Sequence, residues 1–355
     1  MQLTVYTNSM LIQQNQPLAG LTAFNVGGAA EKLVTIKSGL EIDEAINEAN
    51  NQVWPLGYGT NVLISDQGLP GTTLLFRNDE LDLNDNQVVA GAGLWWDDMV
   101  KLLVDSNLWG LELTSGVPGS VGAAVFININ AYGQSQSDCL SWVEVFDLDK
   151  KRLQKINAAD LTWGYKTSDF QLDGWQRKLI VRAAYELASK PTIDVTYQSA
   201  IDIKSELGLK DTLADRRATI LETRRRAGSI FVPGQNHAKT VGSFFRNPLV
   251  TSEQADLVAS FDESGKTKSQ VHKMNQVHGG DRLRVSAAHV LLAAGFKRGQ
   301  QWGPVRLHPD HVLKLENTGG ATAQQIYDVA QEIINHSEQS LGIKLEPEAR
   351  ILGEF

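Results

Sequence analysis

The sequence predicts an α+β fold, and three observations carry that prediction. Strand-like runs and amphipathic helical stripes are interleaved, but without the regular strand, helix, strand beat of a doubly wound parallel sheet. Two glycine-rich loops are present, and neither has GxGxxG spacing between a strand and a helix, so a Rossmann domain is not supported. The 355 residues exceed the size at which a single apolar core stops growing, so two or three domains are expected.

Helical spacing is clear in three places. Ile42, Ala45, Ile46 and Ala49 form one stripe, and Met99, Val100, Leu102 and Leu103 form a second. The third stripe is Ile326, Val329, Ala330, Ile333 and Ile334; Thr322 with Gln325 three residues on opens it, and Gly342 closes it. Strands are expected at residues 33–36, 72–76, 87–90, 142–148, 178–187 and 312–315. A polar, helix-rich stretch over residues 189–225 separates two strand-bearing regions and marks a domain boundary.

Apolar residues make up 42% and charged residues 21%, the proportions of an ordinary globular protein. No run approaches the apolar length of a membrane span. Residues 1–17 lack a basic start followed by an apolar core, so no secretory signal is read and a cytoplasmic location is expected. Cys139 is the only cysteine, which excludes an internal disulfide or thiolate cluster and suits a reducing compartment. A net charge of −8 argues against broad attraction to nucleic acid or anionic lipid. Against that background the basic run Arg224-Arg225-Arg226, with Lys239 further on, suits either a phosphate or a solvated helix face.

The first glycine loop runs Gly57-Tyr58-Gly59-Thr60-Asn61-Val62. Its glycines let backbone N–H groups face one point, which suits a diphosphate, and the same run also suits a tight turn between strands. The second, Gly116-Val117-Pro118-Gly119-Ser120-Val121-Gly122, is expected to open a helix whose first N–H groups hold phosphate oxygens. Asn128-Ile129-Asn130-Ala131-Tyr132-Gly133 follows. His308-Pro309-Asp310-His311 has the look of a metal site. Its proline disfavours the helix that would align the two rings, and no third ligand lies close in sequence, so no metal is expected. His272, His278, His289 and His336 carry no pattern.

Taken in order, residues 56–65, 116–133, 163–168, 242–248 (Gly-Ser-Phe-Phe-Arg-Asn-Pro) and 345–350 (Leu-Glu-Pro-Glu-Ala-Arg) resemble the UDP-N-acetylenolpyruvoylglucosamine reductase family. The resemblance runs from about residue 21 to residue 353. It implies an FAD-binding fold of the vanillyl-alcohol-oxidase (PCMH) type in two α/β subdomains, residues 1–77 and 78–225, with residues 345–355 returning to the first. Residues 226–344 would form an α/β domain for the UDP-sugar. It also implies non-covalent FAD, held by Gly57, Tyr58, Gly59, Thr60, Asn61, Val62, Gly116, Pro118, Gly119, Ser120 and Gly122. NADPH would be the reductant, and the product UDP-N-acetylmuramate, for peptidoglycan synthesis. A monomer without nucleic-acid or membrane partners is expected.

The reaction class asks for particular residues. An enol ether conjugated to a carboxylate accepts hydride at its terminal carbon, and charge then collects at the carboxylate, where cations or acids must stabilise it. By the resemblance, Glu348 and the cation Lys166 do so, and Ser243 protonates the carbon beside the carboxylate. Lys166 stands where the family has arginine, which keeps the charge but loses the planar fork. Arg224, Tyr132, Tyr197, Asn247 and His311 are carried over to the substrate. The family's lysine downstream of Arg224 falls on Ala227, with Arg226 beside it to supply charge. Ile127 and Asn130 replace a glutamine and a glycine. The alternatives are another FAD-dependent oxidoreductase of the same fold, or a UDP-sugar and flavin-binding protein that has lost turnover.

Overall fold

The computed structural model describes residues 4–7, 10–49, 52–232, 238–261 and 283–355; His272 and His278 lie outside them. Contacts divide the chain into two compact units. The first is Met1–Gln16, Ala30–Gly59 and Leu69–Gln235, and the second is Pro17–Ala29, Thr60–Gly68 and Asn236–Phe355.

Two five-stranded sheets dominate the described residues of the first unit. In one, strands Ala29–Ile36 and Val53–Leu56 both pair in parallel with Leu69–Phe76, and helix Ile42–Asn47 makes a crossover with Ile42 and Ala45 buried. The other is antiparallel, in the order Arg152–Asn157, Leu140–Asp147, Lys178–Glu186, Gln87–Gly91, Leu81–Asn84. Its central strand reads Lys-Leu-Ile-Val-Arg-Ala-Ala-Tyr-Glu and is mostly buried, as a strand covered on both faces must be. Helix Trp96–Asp105 buries Trp96, Met99, Val100 and Leu103, the stripe that its spacing predicts. Val34, Phe76, Val88, Met99, Val145 and Val181 belong to one apolar cluster, so residues 1–77 and 78–225 share a core.

A buried ion pair fixes the far end of this unit. Glu112 and Arg216 stand 3.2 Å apart with side chains 0% and 1% exposed. The Glu112 carboxylate also accepts the Gly110 N–H at 2.9 Å and the Gln134 amide at 3.1 Å. Arg216 completes its fork on Asp211 and donates to the Ile193 carbonyl at 2.7 Å. Helix Leu213–Arg226 is thereby tied to the turn that precedes the second glycine loop.

In the second unit, strand Val305–Leu307 lies between Gln301–Trp302 and Leu315–Asn317, all antiparallel. Helix Ala323–Leu341 has the predicted ends: Thr322 and Gln325 form a capping box, and Gly342 closes it at φ +65°. Strand Arg350–Leu352 returns to pair in parallel with Val62–Ile64. One strand expectation needs correction. Residues 312 and 313 form a turn, closed by the Lys314 N–H donating to the His311 carbonyl; Lys314 makes an isolated bridge to Ser243, and the strand itself begins at Leu315.

Arg216→Met should destabilise the first unit by about 3–5 kcal/mol, because it leaves the Glu112 carboxylate buried without its cation. Urea unfolding followed by Trp fluorescence checks this; an unchanged midpoint would mean that the pair contributes nothing.

Candidate active site

The sequence-predicted residues fall into two groups, one in each unit. In the first unit Gly57, which opens the first glycine loop, touches Ser120 of the second, although they lie far apart in sequence. A Cβ at Gly57 would fall 2.6 Å from Ser120 Oγ, so a side chain here would displace that hydroxyl from its cap on the Ala123 N–H. Gly59 adopts φ +63°, and the N–H groups of Tyr58 and Gly59 make no hydrogen bond among the described residues. Arg77 sits under this turn, its guanidinium 4.2 Å from the Tyr58 ring and 3.0 Å from the Gly57 carbonyl oxygen that accepts from it. Burial lowers the Arg77 pKa from its ordinary value. Open backbone donors above a partly desolvated cation suit a phosphate group.

The second loop works differently from expectation. Helix Val121–Ile127 does follow it, with Ser120 as N-cap. Its first N–H groups, however, already have partners: Val121 donates to the Leu94 carbonyl, Gly122 to that of Ala92, and Ala123 to Ser120 Oγ. These three N–H groups of the helix are taken, whereas those of Gly119 and Ser120, just before it, make no hydrogen bond among the described residues. A Cβ at Gly122 would meet that of Ala92 at 2.9 Å. Asp97 accepts from the Gly116 N–H at 2.6 Å and holds Arg217 at 2.7 and 2.8 Å, while Arg224 donates to the Gly116 carbonyl at 2.9 Å.

Arg224 also joins the loop to two tyrosines. Its charge acts on Tyr132, whose ring meets that of Tyr197 edge-on at 5.4 Å. Burial raises the pKa of both phenols, although Arg224 opposes this at Tyr132, so both remain donors at neutral pH. Tyr132 has φ +51°, a left-handed value that a bulky residue adopts only when its surroundings demand it. Arg226 does not join this cluster. Its guanidinium takes both oxygens of Glu206 and one of Glu222 on an exposed helix face, so the charge proposed to replace the family lysine is neutralised elsewhere. Ile127 packs against the core, and the Asn130 amide bonds Ser135 Oγ at 2.7 Å.

Lys166 occupies the two-residue turn between Trp163–Gly164 and Thr167–Ser168, also with positive φ, +55°. Three side chains pin this hairpin near the end of helix Val121–Ile127. Asn128 donates to the Gly164 carbonyl, Ser168 to that of Phe126, and Gln171 to those of Phe126 and Lys166.

In the second unit, Ser243 and Glu348 come from stretches that the chain brings side by side. The Glu348 N–H donates to the Phe244 carbonyl at 2.7 Å, and the Arg246 N–H to that of Glu346 at 2.9 Å, about the paired residues Phe245 and Pro347. Phe244 and Phe245 are fully buried, as packing residues. Asn61, from the first loop, donates to the Glu348 carbonyl at 3.2 Å. Asn247 has structural work: its Oδ1 accepts the N–H of Ala287, the first residue of helix Ala287–Ala293. Burial first, then the charges of Lys314 and Arg298, push the His311 pKa down to about 4. Its Nδ1 accepts the Leu313 N–H, so the neutral ring carries its proton on Nε2 as a donor. Among the described residues no cluster of His, Cys, Asp and Glu could hold a metal. Burial lifts the Cys139 thiol to about 12, which makes it inert.

Arg77, Asp97 and Arg217 carry no motif and were not legible in the sequence. Arg350 ends the Leu-Glu-Pro-Glu-Ala-Arg run, and its pKa is lowered by burial and then by the nearby charge of Arg246, two cations brought close together.

Comparison with known proteins defines first a class and then a family. An FAD binding domain model matches residues 30–155, the span that contains both glycine loops. The chain is thus built on an α+β FAD-binding fold. A model of the UDP-N-acetylenolpyruvoylglucosamine reductase C-terminal domain matches residues 234–352. UDP-N-acetylenolpyruvoylglucosamine reductases of Streptomyces avermitilis and Thermobifida fusca are each 32% identical; the first match covers 95% of this chain and 94% of the relative, the second 96% and 98%. The solved reductase of Thermus caldophilus superposes with a TM-score of 0.66 at 22% identity, over 99% of this chain and 100% of that one, a likeness of fold. The chain belongs to the UDP-N-acetylenolpyruvoylglucosamine reductase family.

Two predictions follow from this geometry. Gly57→Ala should strip most of the FAD from the purified protein, read as the 450 nm absorbance per chain, because the new methyl group collides with Ser120. Gly20→Ala, with nothing within 4 Å, should leave it unchanged. His311 should stay neutral across the physiological range. A folded pKa depressed from 6.5 to about 4 favours the neutral ring, so its contribution to stability is present above pH 6.5 and lost as pH falls through 4. The His311 ring-proton shift in NMR should titrate near pH 4, and a midpoint of 6 to 7 would contradict this.

Proposed function

We propose that this chain reduces the enolpyruvyl ether of UDP-N-acetylglucosamine enolpyruvate to UDP-N-acetylmuramate, for peptidoglycan synthesis, with FAD as cofactor and NADPH as reductant. Family membership supports the reaction. Within it, the observation that carries the assignment of residues is the backbone bond from Glu348 to Phe244, which joins the two runs bearing the proposed acids.

When bound, FAD supplies hydride from NADPH to the terminal carbon of the enol ether. The chain's own residues do the rest. Ser243 protonates the carbon beside the carboxylate, and a weakly acidic hydroxyl suffices because the intermediate is strongly basic and the donor is already placed. Glu348 and Lys166 stabilise the charge that collects on the carboxylate. The N–H groups of Tyr58 and Gly59, above Arg77, hold the cofactor's phosphates. Arg224, Tyr132 and Tyr197 bind the nucleotide sugar, Tyr197 from a loop that closes over the diphosphate, and the Nε2–H of His311 and the amide of Asn247 donate to that diphosphate. Nucleotide sugars and NADPH are metabolites of the cytoplasm, where we place the enzyme, and we expect it to act as a monomer.

The purified chain should be yellow, should release FAD on denaturation, and should oxidise NADPH only when UDP-N-acetylglucosamine enolpyruvate is added. Flavin without substrate-dependent oxidation would overturn the reading in favour of a binding protein. Lys166→Arg should retain or exceed the natural turnover, and Lys166→Met should lose about 10²-fold. A large fall in the arginine form would show that lysine does more than approximate arginine.

A further inference from the structure

One row of side chains crosses the antiparallel strands of the second unit: His308, Lys314, Ser243. The register pairs Arg306 with Glu316 and Leu307 with Leu315, and the His308 N–H donates to the Lys314 carbonyl at 2.8 Å, which sets His308 opposite Lys314. Lys314 is in turn paired with Ser243. Here the bond runs from the Phe244 N–H to the Leu313 carbonyl, 2.9 Å, so Ser243 and Lys314 form a non-hydrogen-bonded pair. In such pairs the side chains share a face and approach most closely, with Cα atoms about 4.5 Å apart.

Lys314 is only 2% exposed. Glu316, two residues on and on the same face, is engaged by Arg306 at 2.7 Å. The two imidazoles beside the lysine are held towards their neutral forms, by burial first and with Lys314 contributing to both. The arrangement keeps a desolvated cation beside the hydroxyl proposed to give up its proton. At low effective dielectric such a charge acts far more strongly than in water.

We propose that Lys314 is a positioning residue for the protonation step, its ammonium stabilising the Ser243 oxyanion left when the Oγ proton passes to the substrate carbon. The inference rests on the reading of Ser243 above. In the step, the enolate's electron pair forms the new C–H bond, the Ser243 O–H bond breaks, and its electron pair stays on Oγ as the negative charge. Solvent then returns a proton to Oγ, and Lys314 stays protonated throughout.

A thiol at this position reports the field without flavin or substrate. In Ser243→Cys, the pH dependence of alkylation by iodoacetamide gives the thiol midpoint, undisturbed by the buried Cys139. It should lie below the value of about 8.5 of an ordinary cysteine. Adding Lys314→Met should raise it by about one unit, and Lys314→Arg in its place should keep it low. Equal midpoints in the three proteins would overturn the proposal. In the serine background, Lys314→Met should slow substrate-driven reoxidation of the reduced flavin about 10²-fold while NADPH-driven reduction is unchanged, and Lys314→Arg should restore most of the loss. Equal slowing of both half-reactions would mean a structural role and would also overturn it. If Lys314→Met does not fold, Lys314→Gln carries the same comparisons. The two readings fail separately: full turnover in Ser243→Ala sinks the serine assignment, whereas a Lys314 variant that moves neither midpoint nor rate sinks only the lysine.

Discussion

The segment that carries Ser243 has backbone partners on both edges, and the chemistry proposed for the second unit depends on that pairing. On one edge, Phe244 bonds Leu313 and Ser243 stands opposite Lys314; on the other, Arg246 bonds Glu346 and Glu348 bonds Phe244. A hydroxyl is a poor acid unless it is held where the proton is needed. Pairing on two edges, with Phe244 and Phe245 packed into the core between them, fixes the backbone beneath that hydroxyl.

The first unit meets the opposite demand, for anions. Its loops are packed so closely that a side chain at Gly57 would displace the Ser120 hydroxyl, and its cations are anchored before any ligand arrives: Arg77 by the Gly57 carbonyl, Arg224 by those of Gly116 and Ser229. The Glu112–Arg216 pair fixes the helix from which Arg224 projects. Holding donors and cations in place beforehand reduces the ordering that binding would otherwise require. The left-handed conformations of Tyr132 and Lys166 fit the same pattern, since strain of this kind persists only where neighbouring contacts over-determine it.

Much of this was legible in the sequence, for identifiable reasons. Helix Ala323–Leu341 was readable at both ends because a capping box and a left-handed glycine are local chemistry. The family followed from runs long enough to be specific, Gly-Ser-Phe-Phe-Arg-Asn-Pro and Leu-Glu-Pro-Glu-Ala-Arg. Errors arose where a local signal was overridden from a distance. Only the fold shows Leu94 and Ala92 taking the N–H groups of Val121 and Gly122, which leaves those of Gly119 and Ser120 for a phosphate. Arg226 looked free to replace a missing lysine until Glu206, twenty positions earlier, claimed it. Residues 312–315 have strand composition, but a turn at His311 delays the strand to Leu315. Residues on either side of the expected cut at 77 and 78 bury side chains in one apolar cluster, which only the fold brings together. Lys314 and Arg77 belong to no motif; their meaning comes from what stands across a strand pair or beneath a turn.

The central claim is that Ser243 donates a proton after hydride has reached the substrate. Stopped-flow absorbance at 450 nm on Ser243→Ala tests it most directly, with the two half-reactions followed separately. Bleaching of the flavin by NADPH should proceed at the natural rate, and its return on mixing with UDP-N-acetylglucosamine enolpyruvate should be slowed by at least about 10²-fold. Reoxidation at the natural rate, or an equal loss of both phases, would contradict the account.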